Sequence, residues 1–261
     1  MLPFADVHVH LLAERDDGPR SDSEAMGMCR MLVQEGVGIA TALAHQNAHF
    51  PENTPEALRV AANRLIEQLK VEQIPLQVAP SGEIILNSES HQEWLDGKLL
   101  SLFDSGKYLL TEMPWGLFLN PVPIALALRE HGVRLVLAHA ERYEEFLYDS
   151  EQTEAAIAAG CLIQVTTDAL ADPPSRRDEL AMKMWAKRGM IHVLGSDGHR
   201  LDHRKPLWQT GYKRLQKWIG ATAAERIGSI WGTAVLQGLP VNPPAPLPPP
   251  KSWFSKYFKS E

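Results

Sequence analysis

The chain has 261 residues, 44% hydrophobic and 22% charged, an ordinary globular composition that excludes wholesale disorder and allows a sizeable core. A net charge of −6 without a long basic stripe argues against a nucleic-acid binder, although not against a local positive site. No apolar run reaches the roughly 18 residues of a spanning helix. Residues 1–6 do not read as a secretory signal, and two cysteines, Cys29 and Cys161, build no disulfide framework, so a reducing cytoplasm is expected.

Short apolar runs alternate with segments of helical periodicity. Strands are expected at 4–10, 37–45, 76–83, 107–112, 133–139, 161–167 and 190–197, and most read as buried runs of the kind found in parallel sheets. Helix starts are signalled by Ser21 with Glu24, Thr54 with Pro55, Asn120 with Pro121, Ser150, and Thr222 with Glu225. Gly36, Gly132, Gly160 and Gly189 each follow a helical segment and precede a strand, where a left-handed stop is expected. Strands separated by helices imply right-handed crossovers and a parallel sheet, and seven of them suggest a closed or nearly closed α/β barrel. The barrel domain is expected to end at Leu239. Residues 240–250 contain seven prolines and should run extended as a linker.

The strand ends carry the chemistry. The first delivers His8 and His10, the second His45, the third Glu83, the fourth Glu112, the fifth His139, and the seventh Asp197 and His199. In an α/β barrel the carboxyl-terminal rim is where βα loops build active sites. So many imidazoles and carboxylates on one rim would be costly to bury uncompensated, and divalent cations offset that cost. Mixed imidazole and carboxylate without thiolate suits manganese, iron or zinc. With Asp17, the nine candidate ligands suffice for two or three ions. Such clusters suit phosphoester hydrolysis. Arg142 and Arg204 leave the same rim and are candidate phosphate partners, since guanidinium donates two parallel hydrogen bonds. Neither cysteine has an arginine six residues later, so both are read as buried hydrophobes. His49, His91, His131 and His192 are read as structural or exposed, and His203 is left without a role.

His8-Val9-His10, Asp16-Asp17-Gly18-Pro19, His45, Gly82-Glu83, Glu112, His139-Ala140-Glu141-Arg142-Tyr143 and Ser196-Asp197-Gly198-His199 resemble the polymerase and histidinol phosphatase (PHP) superfamily, above all its bacterial protein-tyrosine phosphatases of capsule and exopolysaccharide loci. The resemblance spans about residues 4–235. It implies a distorted, TIM-like (β/α)7 barrel with a trinuclear metal centre, manganese being the first candidate. His8, His10, Glu83 and Asp197 would hold one ion, with Glu83 bridging to a second held by Glu112 and His139. Asp17, His45 and His199 would hold the third, and Arg142 and Arg204 would clamp the phosphoryl group.

The implied substrate is a phosphotyrosine-bearing protein, a bacterial tyrosine kinase of polysaccharide export. Alternatives are histidinol phosphate or another small phosphoester on the same site, and a kinase-binding regulator with incidental catalysis. The segments 46–51 and 113–120 depart from the family pattern, and Trp115, Leu117 and Phe118 make an apolar rim, with Trp115 and Phe118 candidates for stacking on a tyrosine ring. The tail 251–261 carries four aromatics and three lysines. It is expected to dock on its own domain or a partner subunit, to serve as a peptide ligand presented on the stiff proline spacer, or to make weak contact with the inner face of the cell membrane.

Overall fold

The computed structural model describes residues 2–248; the aromatic, basic tail therefore lies outside the described residues. Seven strands, β1 (Phe4–Asp6), β2 (Val37–Gln46), β3 (Gln77–Ile85), β4 (Tyr108–Glu112), β5 (Arg134–Leu137), β6 (Leu162–Thr166) and β7 (Val193–Gly195), pair in sequential order, and every pair is parallel. The two edges meet beyond β1 and β7. Val7 N–H donates to Leu194 O at 3.3 Å and Asp197 N–H to His8 O at 2.7 Å, and Val9 bridges Gly198 in parallel register. The expected α/β class and seven-stranded, nearly closed barrel are therefore what forms.

Helices α1 (Asp22–Gln34), α2 (Pro55–Val71), α3 (Ser90–Leu95), α4 (Val122–Glu130), α5 (Glu144–Leu147), α6 (Ser150–Ala159), α7 (Thr167–Ala171) and α8 (Arg176–Arg188) make the crossovers, and α9 (Gln209–Ile219) follows β7. After β7 and α9, α10 (Ala221–Glu225), a π-helical turn (Arg226–Trp231) and α11 (Gly232–Leu236) follow. Ser21 and Thr54 cap as expected, accepting from Glu24 N–H and Ala57 N–H at 3.2 Å each. All four predicted stop glycines have positive φ. Two starts differ. Asp149 rather than Ser150 caps α6, because its carboxylate reaches the N–H groups of Glu151 and Gln152. Thr222 lies inside α10, whose flanking residue is Gly220.

The barrel strands alternate between two cores, as the pleat requires. Leu109, Leu135, Leu137 and Ile163 face outward into the layer shared with the helices. Tyr108, Leu110, Val136, Ala138 and Leu162 face inward, and Val235 and Leu236 of α11 join them together with Val241. Val241, within the proline-rich segment, is thus buried in the inner core. Its N–H donates to the Tyr108 hydroxyl at 3.2 Å, which itself donates to Leu239 O at 2.8 Å. Farther along, Leu247 exchanges hydrogen bonds with Arg188.

The fifth strand ends at Leu137 rather than His139, and the two strands at the barrel closure also stop early. The first ends at Asp6 rather than His10 and the last at Gly195 rather than Asp197. The buried Asp6 carboxylate explains both. Its Oδ1 accepts from the N–H groups of His8 at 3.2 Å and Ser196 at 2.9 Å, which a ladder would otherwise use. Its Oδ2 accepts from Trp208 Nε1–H at 2.8 Å. The same carboxylate therefore ends both strands and pins the following loops at the rim.

Candidate metal centre

The rim gathers all nine predicted metal ligands. Their donor atoms fall into four overlapping groups: His10, Asp17, His45 and His199; His8, His10 and Asp197; His8, Glu83 and His139; and His45, Glu83 and Glu112. Within each group the atoms lie within 4.8 Å of one another. His8, His10 and Glu83 are completely or almost completely buried, and Asp17 is the exposed member. Glu83, deep on β3, is central: His8 Nε2, His10 Nε2 and His45 Nδ1 lie 3.2 Å from its oxygens, and His139 Nε2 lies 3.4 Å away.

Hydrogen bonds outside the cluster determine which ring nitrogens face it. Gln164 Oε1 accepts from His139 N–H at 2.7 Å, so it is an oxygen acceptor, and it also accepts from His8 Nδ1–H at 3.1 Å. His10 Nδ1–H donates to Asp16 Oδ2 at 2.6 Å, and His199 Nδ1–H to Asp197 O at 2.9 Å. In the neutral imidazoles the Nε2 lone pairs of His8 and His10 then face carboxylate oxygens. Those Nε2 atoms, His45 Nδ1 and both Glu83 oxygens are buried and lack hydrogen-bond partners. Lone pairs opposed to carboxylates repel unless a cation lies between them. This donor set therefore fits divalent metal ions.

The charges respond accordingly. Burial opposes ionisation of Glu83, but the surrounding histidines, His8 and His45 foremost, hold its carboxyl well below the usual range. Asp197 is lowered in the same way, burial being outweighed by His8, Arg142, His139 and Arg204. Burial, reinforced by the Glu83 carboxylate, pushes Glu112 up to about 7. Burial works against a charged His10, yet Asp16 and Glu83 raise it well above the ordinary imidazole value. Without a cation, the cluster draws protons into the positions between its histidines and carboxylates.

Arg142 and Arg204 both approach the cluster. Arg142 Nη2 lies 2.5 Å from Asp197 Oδ2, and Arg204 Nη2 bonds the same oxygen; Arg142 is not paired with Glu145. His139, Asp197 and Arg204 have φ of 33°, 51° and 52°. Left-handed conformations cost about 1 to 3 kcal/mol at residues other than glycine, and three of them meet at one site. Above the cluster opens a cleft of about 600 Å³, lined also by Trp115, Leu117, Phe118 and Tyr143. Trp115 is 88% exposed on its rim, its ring centroid 6.5 Å from that of His49. Phe118 is partly buried, edge-on against Phe146 at 5.1 Å.

Residues 4–237 match the family described as "Capsular polysaccharide synthesis, CpsB/CapC". The chain belongs to this family. It is 30% identical to the tyrosine-protein phosphatase YwqE of Bacillus subtilis (strain 168) over 221 residues, 83% of this chain and 85% of that protein. It is 26% identical to the tyrosine-protein phosphatase CpsB of Streptococcus pneumoniae over 233 residues, 85% of this chain and 93% of that one. A crystal structure from work on YwqE and CpsB, described there as unique metal-dependent tyrosine phosphatases, superposes with a TM-score of 0.85 at 28% identity, covering 93% of this chain and 98% of that one.

In this CpsB/CapC barrel the residues that aim the ligands were less visible in the sequence than the ligands. Asp16 orients His10 and accepts from His45 N–H at 2.9 Å; beside Asp17 it read as part of a motif, without a role of its own. Gln164 orients His8 from β6, the strand that ends without an imidazole or carboxylate. Its only signal was a polar residue inside the apolar run Leu162-Ile163-Gln164-Val165. Tyr143 places its hydroxyl 3.3 Å from His139 Nδ1 while accepting Met113 N–H at 3.0 Å. Asn53 joins the loops by donating to His45 O at 2.8 Å and Arg15 O at 2.9 Å. Of the other histidines, His49 and His203 are exposed and His192 is buried with Nδ1 accepting Ile163 N–H. The rings of His91 and His131 pack against each other, centroids 5.2 Å apart.

Proposed function

We propose that this chain is a metal-dependent protein-tyrosine phosphatase. Two arginines meeting at one edge of a buried histidine–carboxylate cluster carry the reading, and the named activity of its CpsB/CapC relatives supports it. His8, His10, Asp17, His45, Glu83, Glu112, His139, Asp197 and His199 would hold two or three divalent ions, manganese first, with iron or zinc as alternatives. Bound there, such ions supply a water of lowered pKa and neutralise phosphate charge.

The chain's own residues do the rest. Glu83 offers donors on both oxygens and ties the ligand groups together. Asp16 and Gln164 hold the rings of His10 and His8 with Nε2 directed inward. Arg142 and Arg204 bind the phosphoryl oxygens. Trp115 and Phe118 form the apolar wall against which the phenyl ring rests. A phenolate, with a pKa of about 10, leaves more readily than an alkoxide and needs less help from an acid.

The physiological substrate in this reading is a phosphotyrosine-bearing protein, a bacterial tyrosine kinase serving polysaccharide export. Two buried free thiols, Cys29 and Cys161, each raised by burial to about 12, suit a cytoplasmic setting. No helix among the described residues is long and apolar enough to cross a membrane. Phosphate release from a phosphotyrosyl peptide, a phosphoseryl peptide and histidinol phosphate under one metal condition tests the assignment. The phosphotyrosyl peptide is expected to have the highest kcat/KM; a higher value for histidinol phosphate would move the substrate to a small metabolite.

A further inference from the structure

A second cleft, of about 390 Å³, adjoins the first and shares Arg142 and Glu144 with it. Its lining is acidic: Glu141, Glu144, Asp168, Asp172 and Asp178 contribute carboxylates; Asp178 accepts from the Tyr148 and Ser175 hydroxyls, and none of the other four forms an ion pair among the described residues. Arg142, the cation in that lining, is drawn to Asp197 instead. Arg177 nearby is occupied too, its guanidinium carbon 3.6 Å from the centroid of the Tyr148 ring.

Acidity alone would describe any solvated surface. Glu141 differs. It is only 7% exposed, and its Oε1 is fixed by Thr166 N–H at 3.1 Å and Thr166 Oγ1–H at 2.6 Å. Its Oε2 is buried without a partner. A carboxylate held this rigidly with one oxygen unsatisfied, in the wall of an acidic cleft, invites a cationic donor. The remaining walls include Leu147 and the half-buried Tyr148, apolar surface for the methylene stem of a long basic side chain.

Taking the phosphatase reading as its premise, we propose that this cleft is a substrate subsite for a lysine or arginine flanking the phosphotyrosine. The stem lies along Leu147 and Tyr148, and the charged head is drawn to the Glu141 carboxylate, with the exposed Asp168 and Asp172 meeting it at the mouth. Arg142 then separates the two sites, with the phosphoryl group on one side and the basic side chain on the other. Specificity in this enzyme accordingly comes from charge in two adjacent clefts of opposite preference.

The test uses the full chain with its metal ions and pairs of phosphotyrosyl peptides that differ by lysine or norleucine at each flanking position in turn. Norleucine keeps the stem and removes the ammonium. At one position the lysine peptide is expected to show about tenfold higher kcat/KM, carried by KM, the size typical of a partly buried ion pair. In Asp172→Lys and Asp168→Lys that ratio should fall to one or below. Each ratio is taken on a single protein preparation, so any general loss of activity in a variant cancels. Equal turnover of all pairs by the wild type, with phosphotyrosine still hydrolysed, would overturn the subsite and leave the phosphatase reading standing. A lysine preference unchanged in both variants would also overturn it. No turnover of any peptide would overturn the phosphatase reading and the subsite with it.

Discussion

Arg142 and Arg204 reach the same atom, Oδ2 of Asp197, from two different loops. Asp197 therefore positions two guanidinium groups while presenting its other oxygen, Oδ1, 3.2 Å from His8 Nε2. With the proposed role of the two arginines, one carboxylate would couple phosphate recognition to the histidine–carboxylate cluster. A lysine at either arginine position keeps the charge but loses the planar fork. Arg142→Lys and Arg204→Lys are each expected to lower kcat/KM for a phosphotyrosyl peptide by about a hundredfold. Bound metal, read by elemental analysis, should not change. A fall in metal content matching the fall in activity would move these arginines from substrate binding to site assembly.

Gln164 should matter to metal affinity although it offers no ligand. In Gln164→Leu, His8 loses the acceptor that fixes its Nδ1–H tautomer, and the His139 N–H loses its partner. Weakening of manganese binding by about 10- to 100-fold is expected, the usual cost of removing such a support. Titration calorimetry measures it. Unchanged affinity would show that His8 is oriented by packing alone, for instance by its close contact with Gly195, where an added Cβ would sit 2.5 Å from His8 Cβ.

Chelation should destabilise the fold. The buried atoms of His8, His10, His45 and Glu83 lack hydrogen-bond partners, and a cation among them would satisfy them together. Metal at a hundredfold excess over its Kd adds about 2.7 kcal/mol of stability per site. A drop in melting temperature on adding EDTA, reversed by manganese, is expected. A melting temperature indifferent to both would argue that the cluster is satisfied by protons alone.

His192 sets an acid limit away from the cluster. Burial pushes its imidazole down to about 3, and its Nδ1 accepts Ile163 N–H at 2.9 Å. In the unfolded chain it titrates at about 6.5. Below that value the unfolded state takes up a proton that the folded state refuses, so the stability contribution present above pH 6.5 is lost as pH falls toward 3, by about 1.4 kcal/mol per pH unit. A neutral replacement, His192→Asn, is expected to be less stable at pH 7.5 and to lose less stability between pH 7 and 5 than the wild type. Denaturant unfolding at the two pH values checks the slope; parallel slopes would contradict it.

Much of the barrel was legible because its signals are local and redundant. Buried β-branched runs marked the strands, and Gly36, Gly132, Gly160 and Gly189 marked the helix ends. Eight of the nine candidate metal ligands were legible because they sit at or just beyond strand ends, where chain order maps onto one rim; Asp17 lies in the loop between β1 and α1. What escaped depended on contacts between residues distant in sequence. Asp6 ends two strands by accepting from His8 and Ser196, which no local pattern reveals. Asp149 displaced Ser150 as a cap because its longer carboxylate reaches two N–H groups. Gln164 and Tyr143 act through other side chains, so neither their types nor their spacing announced them. Val241, in a proline-rich stretch that read as a linker, is buried against Tyr108 because the chain turns back across the barrel after α11.

The most direct test of a metal-dependent phosphatase centred on this rim is phosphate release from a phosphotyrosyl peptide by chelator-stripped protein, with and without added manganese, in the wild type and in His139→Ala. The account predicts negligible release from stripped protein, recovery on adding manganese, and little recovery in the variant. Full activity after stripping, or wild-type recovery in His139→Ala, would contradict it.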